Sequence, residues 1–247
     1  GTKELRNLPE AQKTLEMHSD CASRQCIMAS RSSSAFALTL LVACAASTAL
    51  AQTLFVKTTG VDSATCGSQL APCKSLAQAL TRCDSSNSTC TILMNGAFPA
   101  SSNAGLPFSP SGSTTTFVVG SWYSAARFSL AFAATTPAFK VAPGVRLALS
   151  DCIVSGSQIA VLALQPGSSA AVTNCVFSHN SPAGSTGGSL FIVDNAQFSL
   201  SNCNITQTTS TSSASSAGSL LYATTGAVVD ISSCICEDNV GSSCESC

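Results

Sequence analysis

One sequence pattern recurs four times in the second half of this chain: RLALSDCIV at 146–154, SAAVTNCVF at 169–177, QFSLSNCNI at 197–205 and VVDISSCIC at 228–236. Each copy alternates apolar residues, then has a polar pair, a cysteine and, two places later, an apolar residue or a second cysteine. The aligned cysteines are 23, 28 and 31 residues apart. A motif repeated at such intervals is typical of a solenoid, in which each repeat forms one coil.

The alternation within each copy predicts a β-strand with one face turned inward. The polar pair that follows predicts a corner, because Asn readily adopts left-handed backbone angles and bonds its own backbone, as Asn174 and Asn202 would. Further strands are expected between the copies at 159–164, 189–193 and 219–223. The predicted inward residues are Leu147, Leu149, Val172, Phe198, Leu200, Val229 and Ile231.

The aligned cysteines predict an inward column, with neighbours about one strand spacing apart, roughly 4.8 Å. This spacing lies within the Cα separation of disulfides, about 4.4–6.8 Å. One interpretation is therefore cross-linking between coils. We favour the other, buried thiols packed as small apolar residues, because stacked parallel side chains point the same way. The column consists of Cys152, Cys175, Cys203 and Cys234.

A different unit precedes the repeats. Residues 53–57 alternate as a strand, a Gly- and Ser-rich loop follows, and residues 73–82 show an apolar face of helical spacing. Residues 90–94 predict the next strand. A helix at this place would cover the open end of a coil stack, which otherwise exposes strand edges. Residues 95–140 are less regular, and for Trp122 and Tyr123 we favour a place in the core over an exposed binding platform.

The order strand, G-x-D-x-x-x-C-G (60–67), P-C-x-S-L-x-x-A-L (72–80), strand resembles the start of extracellular right-handed parallel β-helix proteins of the pectin-lyase-like type. The S-x-C-x-apolar copies followed by G-G-S-L (187–190) resemble the repeats of polymorphic-outer-membrane-protein-like β-helices. The resemblance spans residues 53–247 and implies an all-β, right-handed parallel β-helix with a short N-terminal capping helix. Four cysteines flank that helix and allow three pairings, of which we expect Cys66–Cys73 and Cys83–Cys90.

The first residues predict entry into the secretory pathway. Residues 35–51 are apolar throughout but, at about 25 Å as a helix, short for a membrane span. Ala49-Leu50-Ala51 matches a signal-peptide cleavage pattern, so cleavage after Ala51 would leave Gln52 first. The alternative is an uncleaved anchor. The predicted divisions are a doubtful extension (1–27), a signal peptide (28–51), a Cys-rich capping unit (52–94) and β-helix coils that look truncated at the C-terminus (95–247).

The composition limits the partners and the cellular compartment that we expect for this chain. Charged residues make up only 9% of the 247, the net charge is −1, and there is no basic stretch to follow a phosphate backbone, so we expect no nucleic-acid partner. Eleven cysteines follow Ala51, a density that suits an oxidising compartment. The tripeptides beginning at Asn87 and Asn204 are candidate glycosylation sites.

The sequence predicts no catalytic residues, no metal ligands and no cofactor. Asp151, Asp194 and Asp230 fall at different points of the repeat and should not converge, and His179 reads as a surface loop residue. In the tail, Cys244 and Cys247 have a zinc-like spacing, but disulfides are favoured in a secreted chain.

We therefore predict a secreted or cell-surface protein with a structural, adhesive or carbohydrate-binding role. Its partners would be an extracellular polysaccharide or a surface protein, and a membrane only if residues 35–51 stay uncleaved. Two alternatives remain open: a polysaccharide lyase or glycoside hydrolase of pectin-lyase-like fold, and a membrane-anchored surface protein with 35–51 as the anchor.

Overall fold

The computed structural model describes residues 51–83, 87–100, 106–109, 114–123, 126–133, 136–183, 189–209 and 220–240. These residues are mostly β, with one α-helix, and their strands lie in three parallel sheets. From residue 89 onward the strands follow a fixed order: sheet A, sheet B, sheet C, then sheet A again. Each circuit, called a coil below, adds one strand to each of the three sheets. The mostly-β, parallel class expected from the sequence is confirmed, and the arrangement is compatible with a parallel β-helix.

Sheet A contains seven strands, and each strand between its two edge strands is hydrogen-bonded to the strand one coil before and the strand one coil after. Its register places the predicted inward positions above one another: Leu149 pairs with Val172, and Val172 with Leu200. All three are at most 2% exposed. The strands are β1 (Ala51–Lys57), β2 (Thr89–Asn95), β5 (Thr116–Ser121), β8 (Arg146–Ser150), β11 (Ser169–Thr173), β14 (Gln197–Ser201) and β17 (Val228–Ser232).

Sheets B and C complete each coil with shorter strands. Sheet B contains β3 (Ala97–Phe98), β6 (Phe128–Ala131), β9 (Cys152–Ser155), β12 (Val176–Ser178), β15 (Asn204–Thr206) and β18 (Ile235–Glu237). Sheet C contains β4 (Leu106–Phe108), β7 (Phe139–Val141), β10 (Leu162–Leu164), β13 (Phe191–Val193) and β16 (Leu221–Ala223).

The strands predicted at 159–164, 189–193 and 219–223 are each shortened to their last three residues. In the first of them, the Ser157 hydroxyl donates to the Ala160 carbonyl at 3.2 Å, so the chain is still turning at residue 160. The apolar residues before the strand are buried in that turn, as Val161 is. Apolar character alone therefore overestimated the length of these strands.

Residues with left-handed φ occupy three corners of the coil. Corner 1 joins sheet A to sheet B, corner 2 follows sheet B, and corner 3 precedes sheet A. Corner 1 confirms the turn predicted from the polar pair, with φ of 53–56° at Asp151, Asn174, Asn202 and Ser233. Corner 2 contains Gly156, His179, Gln207 and Asp238, and corner 3 contains Gly144, Gly167, Asn195 and Gly226.

Aromatic rings fill the interior in two groups, the first of them in the stretch whose sequence is least regular, residues 95–140. Phe108 lies 5.4 Å from Phe117 and 6.0 Å from Phe139, measured between ring centroids. A second group stacks further along, with Phe191 5.2 Å from Phe177 and 5.1 Å from Phe198. Burying rings of this size contributes a large part of the apolar area that stabilises the coils.

The helix α1 spans Leu76–Arg82 and packs against β1. It begins three residues later than predicted because Cys73 still bridges to Val56 of β1. Ser75 caps the helix, since its hydroxyl accepts from the Gln78 N–H at 3.1 Å. The buried face consists of Leu76 and Ala79.

Two disulfides hold this unit, Cys66–Cys73 and Cys83–Cys90. These are the two pairings expected from the resemblance, and both bonds flank α1. The cleavage site predicted after Ala51 falls at the first residue of β1, so cleavage would leave that strand running from Gln52 to Lys57. The extension and most of the signal segment, residues 1–50, lie outside the described residues.

Candidate functional site

The outward side chains of sheet A form the floor of a shallow cavity of about 460 Å³. The cavity crosses five neighbouring strands, from β5 to β17, a distance of about 19 Å at 4.8 Å per strand. Its size falls in the range of small-molecule and ligand clefts. The outward residues that line it are Thr116, Arg146, Ala148, Ser169, Ala171, Gln197, Ser199, Val228 and Asp230.

A second cavity of about 360 Å³ continues the first around corner 3. The two share Arg146, Ser169, Gln197 and Val228 in their linings. Few side chains protrude into the cavity from corner 3, because three of its four left-handed residues are glycine. A Cβ on Gly226 would lie 2.4 Å from the Asn195 side-chain oxygen, so this corner has no room for a larger residue there. We call the two cavities together the sheet A groove.

Charge in the sheet A groove is sparse and separated. Arg146 starts β8 and Asp230 lies in β17, three strands further along, or about 14 Å. The floor between them is made of small side chains such as Ala171 and Ser199. Glycoside hydrolysis needs two carboxyl groups about 5–9.5 Å apart, whereas Asp230 is the only carboxylate among the described residues that line the groove.

The other predicted carboxylates serve the corners. Asp151 lies at corner 1 and accepts a hydrogen bond from the Asn174 side-chain amide, whose oxygen accepts from Arg127 Nη2 at 2.6 Å. Asp194 lies beside corner 3 and accepts from the Thr224 hydroxyl at 2.8 Å, one coil further along. These contacts give both residues a structural role, and they lie apart from Asp230.

An aromatic cluster lies on the same outward face toward the β1 end of sheet A, with Phe55 and Trp122 half-buried and Tyr123 exposed. The ring of Trp122 is 4.8 Å from Phe55 and 5.9 Å from Tyr123, on which it stacks with an angle of 9° between the ring planes. Tyr123 is 56% exposed. Our preference for a core position was therefore wrong for Tyr123, because it follows β5 at the point where the chain leaves the sheet.

The inward cysteines lie on corner 1 of successive coils and are all at most 4% exposed. The Cys152 and Cys175 sulfurs are 2.7 Å apart. Contact with the Cys152 sulfur, together with burial, raises the pKa of the Cys175 thiol well above its ordinary value. The Cys203 thiol has a raised pKa because of contact with Cys175 and burial. Such thiols stay protonated and do not act as surface nucleophiles.

Sequence reasoning missed a pair of asparagines that fasten corner 2. Asn180 is fully buried; its side-chain oxygen accepts from the Ser157 N–H at 3.0 Å and its amide donates to the Val154 carbonyl at 3.2 Å. Asn239 makes the same two bonds to Thr208 and Ile205. Both asparagines stand five residues after a column cysteine, a signal that was present in the sequence.

The remaining predicted positions are distributed over the surface and the tail. His179 is exposed at corner 2. Of the two glycosylation candidates, Asn87 is 8% exposed, and Asn204 is half-buried at an outward position of β15. Cys236 is disulfide-bonded, whereas Cys244 and Cys247 lie outside the described residues.

Within the described ranges, no group of three or more His, Cys, Asp or Glu side chains is placed to hold a metal ion. The same part of the chain contains no helix that is long and apolar enough to cross a membrane. No family model, curated protein or solved structure matches the chain.

Proposed function

We propose that the protein is an extracellular, non-catalytic binding module that holds a neutral polysaccharide chain in the sheet A groove. The coils are proposed to wind to the right, as β-crossover-β connections do in nearly all proteins, and to belong with pectin-lyase-like β-helices. The observation that carries the proposal is the lining of the groove: small hydroxyl and apolar side chains over about 19 Å, with one cation and one anion far apart.

This lining favours a neutral ligand. Ser and Thr hydroxyls both donate and accept hydrogen bonds, as sugar hydroxyls do, and Ala and Val offer contact to sugar C–H groups. An acidic polysaccharide would instead call for several Arg or Lys side chains, because guanidinium and ammonium groups pair with carboxylates. Arg146 is the only cation among the described residues that line the groove.

Binding to insoluble and soluble glycans tests the proposal. We expect the chain from Gln52 onward to be retained by a neutral β-glucan and to bind pectate more weakly. A glutamate introduced on the floor, Ala171→Glu, should reduce binding at least tenfold because it protrudes into the groove. The matched control is Ala163→Glu, an outward alanine on sheet C.

Three results would overturn this function. They are turnover of pectate with Ca²⁺, which would favour the lyase alternative, capture of proteins but no glycan, and equal effects of the two glutamate variants.

Localisation is tested separately. We expect protein secreted from a eukaryotic host to begin at Gln52, as N-terminal sequencing would show, whereas retention in the membrane fraction with residues 35–51 intact would favour the anchor.

A further inference from the structure

The cysteine column is not uniform, and the difference lies at its first member. Cys175, Cys203 and Cys234 each place the sulfur 3.2–3.3 Å from the carbonyl two residues earlier, and 3.6–3.9 Å from a carbonyl of the preceding coil. Cys152 instead has its sulfur 2.7 Å from that of Cys175. Two sulfur atoms this close are well inside non-bonded contact.

We propose that Cys152 and Cys175 form a disulfide that joins two successive coils of the stack. The backbone is already compatible: β9 and β12 pair in register from Ile153 and Val176, so the two cysteines stand one strand spacing apart, about 4.8 Å. This separation falls within the range found for disulfides, about 4.4–6.8 Å. No movement of a strand is required for the bond.

The selectivity for this pair comes from its neighbours. The sulfur of Cys203 accepts from the Cys175 backbone N–H at 3.5 Å and also interacts with the Cys175 side chain. The 2.7 Å approach of two sulfurs is seen between Cys152 and Cys175. The Cys203 sulfur is also held by the Ser201 carbonyl. We therefore assign the disulfide to Cys152–Cys175, with Cys203 packed beside it as a thiol.

The bond forms by exchange with a disulfide donor, either a small disulfide such as oxidised glutathione or a disulfide-donating oxidoreductase. One protein thiolate attacks the donor, releasing one donor thiol and leaving a mixed disulfide. The second protein thiolate then attacks the protein sulfur of that mixed disulfide and releases the second donor thiol. Two electrons pass to the donor, and the two protons leave the protein thiols and end on the donor thiols.

The reaction belongs to the folding stage. In the finished coils both cysteines are fully buried, and contact between the sulfurs disfavours the thiolate that must attack. In the incompletely folded chain both thiols are accessible to the donor. Because Cys66–Cys73 and Cys83–Cys90 are also disulfides, the same oxidising conditions serve all three bonds.

Peptide mapping tests the bond in wild-type protein folded in a redox buffer of reduced and oxidised glutathione. Free thiols are alkylated in denaturant without reductant, and the chain is cut with pepsin at low pH, which prevents exchange. Trypsin is unsuitable because no Lys or Arg follows Arg146. We expect a linked pair of peptides containing Cys152 and Cys175, lighter by two hydrogens than the sum of the thiol forms, and an alkylated Cys203.

Two variants sharpen the result. Cys152→Ser should make Cys175 alkylatable in denaturant, while Cys203→Ser should leave the Cys152–Cys175 peptide unchanged. Full alkylation of both cysteines in the wild type would overturn the proposal and leave a column of buried thiols. A bond between Cys175 and Cys203 would overturn it as well. Neither readout depends on glycan binding.

Discussion

Single residues at the corners of the coil satisfy backbone groups that no strand reaches. Asn180 supplies an acceptor to one buried N–H and a donor to one buried carbonyl. Since an unpaired buried polar group costs about 1–3 kcal/mol, its replacement leaves two such costs inside corner 2. From the next coil, the Asn180 side chain makes two hydrogen bonds to backbone groups of the kind that a neighbouring strand would otherwise make.

We expect Asn180→Ala to lower the free energy of unfolding by about 2–4 kcal/mol. The matched variant Asn239→Ala removes the same two bonds at a half-exposed position, where water replaces them, and should cost about 1 kcal/mol or less. Urea unfolding followed by circular dichroism measures both. Equal losses for the two variants would contradict the role given to burial.

Left-handed corners make a second residue-scale prediction. Asn174 has φ of 55° and a side chain that bonds Asp151 across coils. Asn174→Ala should destabilise the fold by about 1–2 kcal/mol, because alanine carries the Cβ penalty without the hydrogen bond. Asn174→Gly should recover part of this loss. A thermal melt in which glycine is no better than alanine would show that the backbone angle does not determine the cost.

At the scale of elements, the sequence predicted strands and corners well where each coil repeats the same residues. The alternation of Leu147 and Leu149 was sufficient to predict the strand, and the Asn of corner 1 was sufficient to predict the turn, since both are local properties of one motif. The start of α1 was missed by three residues because it depends on distant contacts. The Asp62 carboxylate accepts from the Lys74 and Ser75 N–H groups and holds them out of the helix. The helical spacing of apolar residues carries no information about a contact with a residue so distant in the sequence.

The site was harder to predict than the fold for the same reason. The floor of the sheet A groove is built from outward residues of five strands, and their alignment depends on the lengths of the loops between them. The exposure of Tyr123 likewise depends on where β5 ends. The column cysteines were found because one motif carries them, but the close approach of Cys152 to Cys175 reflects side-chain directions that spacing does not determine.

The cap of α1 gives a prediction for this element. Ser75→Ala removes the hydroxyl that accepts from Gln78 and should cost about 1 kcal/mol. Ser75→Asp keeps an acceptor and adds a charge favourable to the helix N-terminus, so it should be near neutral. Because α1 is held by disulfides on both sides, we expect the loss to appear in thermal stability without unfolding of the coils.

At the scale of the whole molecule, the dependence of stability on pH reports on the buried thiols. In protein kept reduced, the Cys175 thiol has a pKa raised above 9.0 by contact with Cys152, whereas the unfolded chain titrates near 9.0. The folded state thus holds its proton to higher pH than the unfolded state does. The contribution of Cys175 should be complete below about pH 9 and fall above it, by up to about 1.4 kcal/mol per pH unit. The Cys203 thiol, whose pKa is also raised, adds to the fall.

Urea unfolding at pH 8 and pH 10 with reductant measures this fall. The variant Cys175→Ala is the control, because it removes the titrating group and should reduce the dependence, while other alkaline groups remain in both proteins. Oxidised wild-type protein should resemble the control, since a disulfide does not titrate. A stability that is flat from pH 8 to pH 10 in the reduced wild type would contradict the raised pKa.

The coil stack itself is tested by one substitution placed twice in the same inward column. Val172 and Ile231 both face inward on sheet A, on β11 and β17, but Val172 is 1% exposed between two coils and Ile231 is only half-buried. In a solenoid each coil contacts only its neighbours, so the cost of a defect depends on how many coils cover it.

A buried carboxylate without a partner costs several kcal/mol, comparable with the whole stability of a domain. Val172→Asp should therefore abolish cooperative unfolding, while Ile231→Asp should only speed amide hydrogen exchange in β17 and β18. Hydrogen exchange measured by mass spectrometry distinguishes the two. If both variants unfolded the whole chain equally, the coils would not be the independent layers that their stacking indicates.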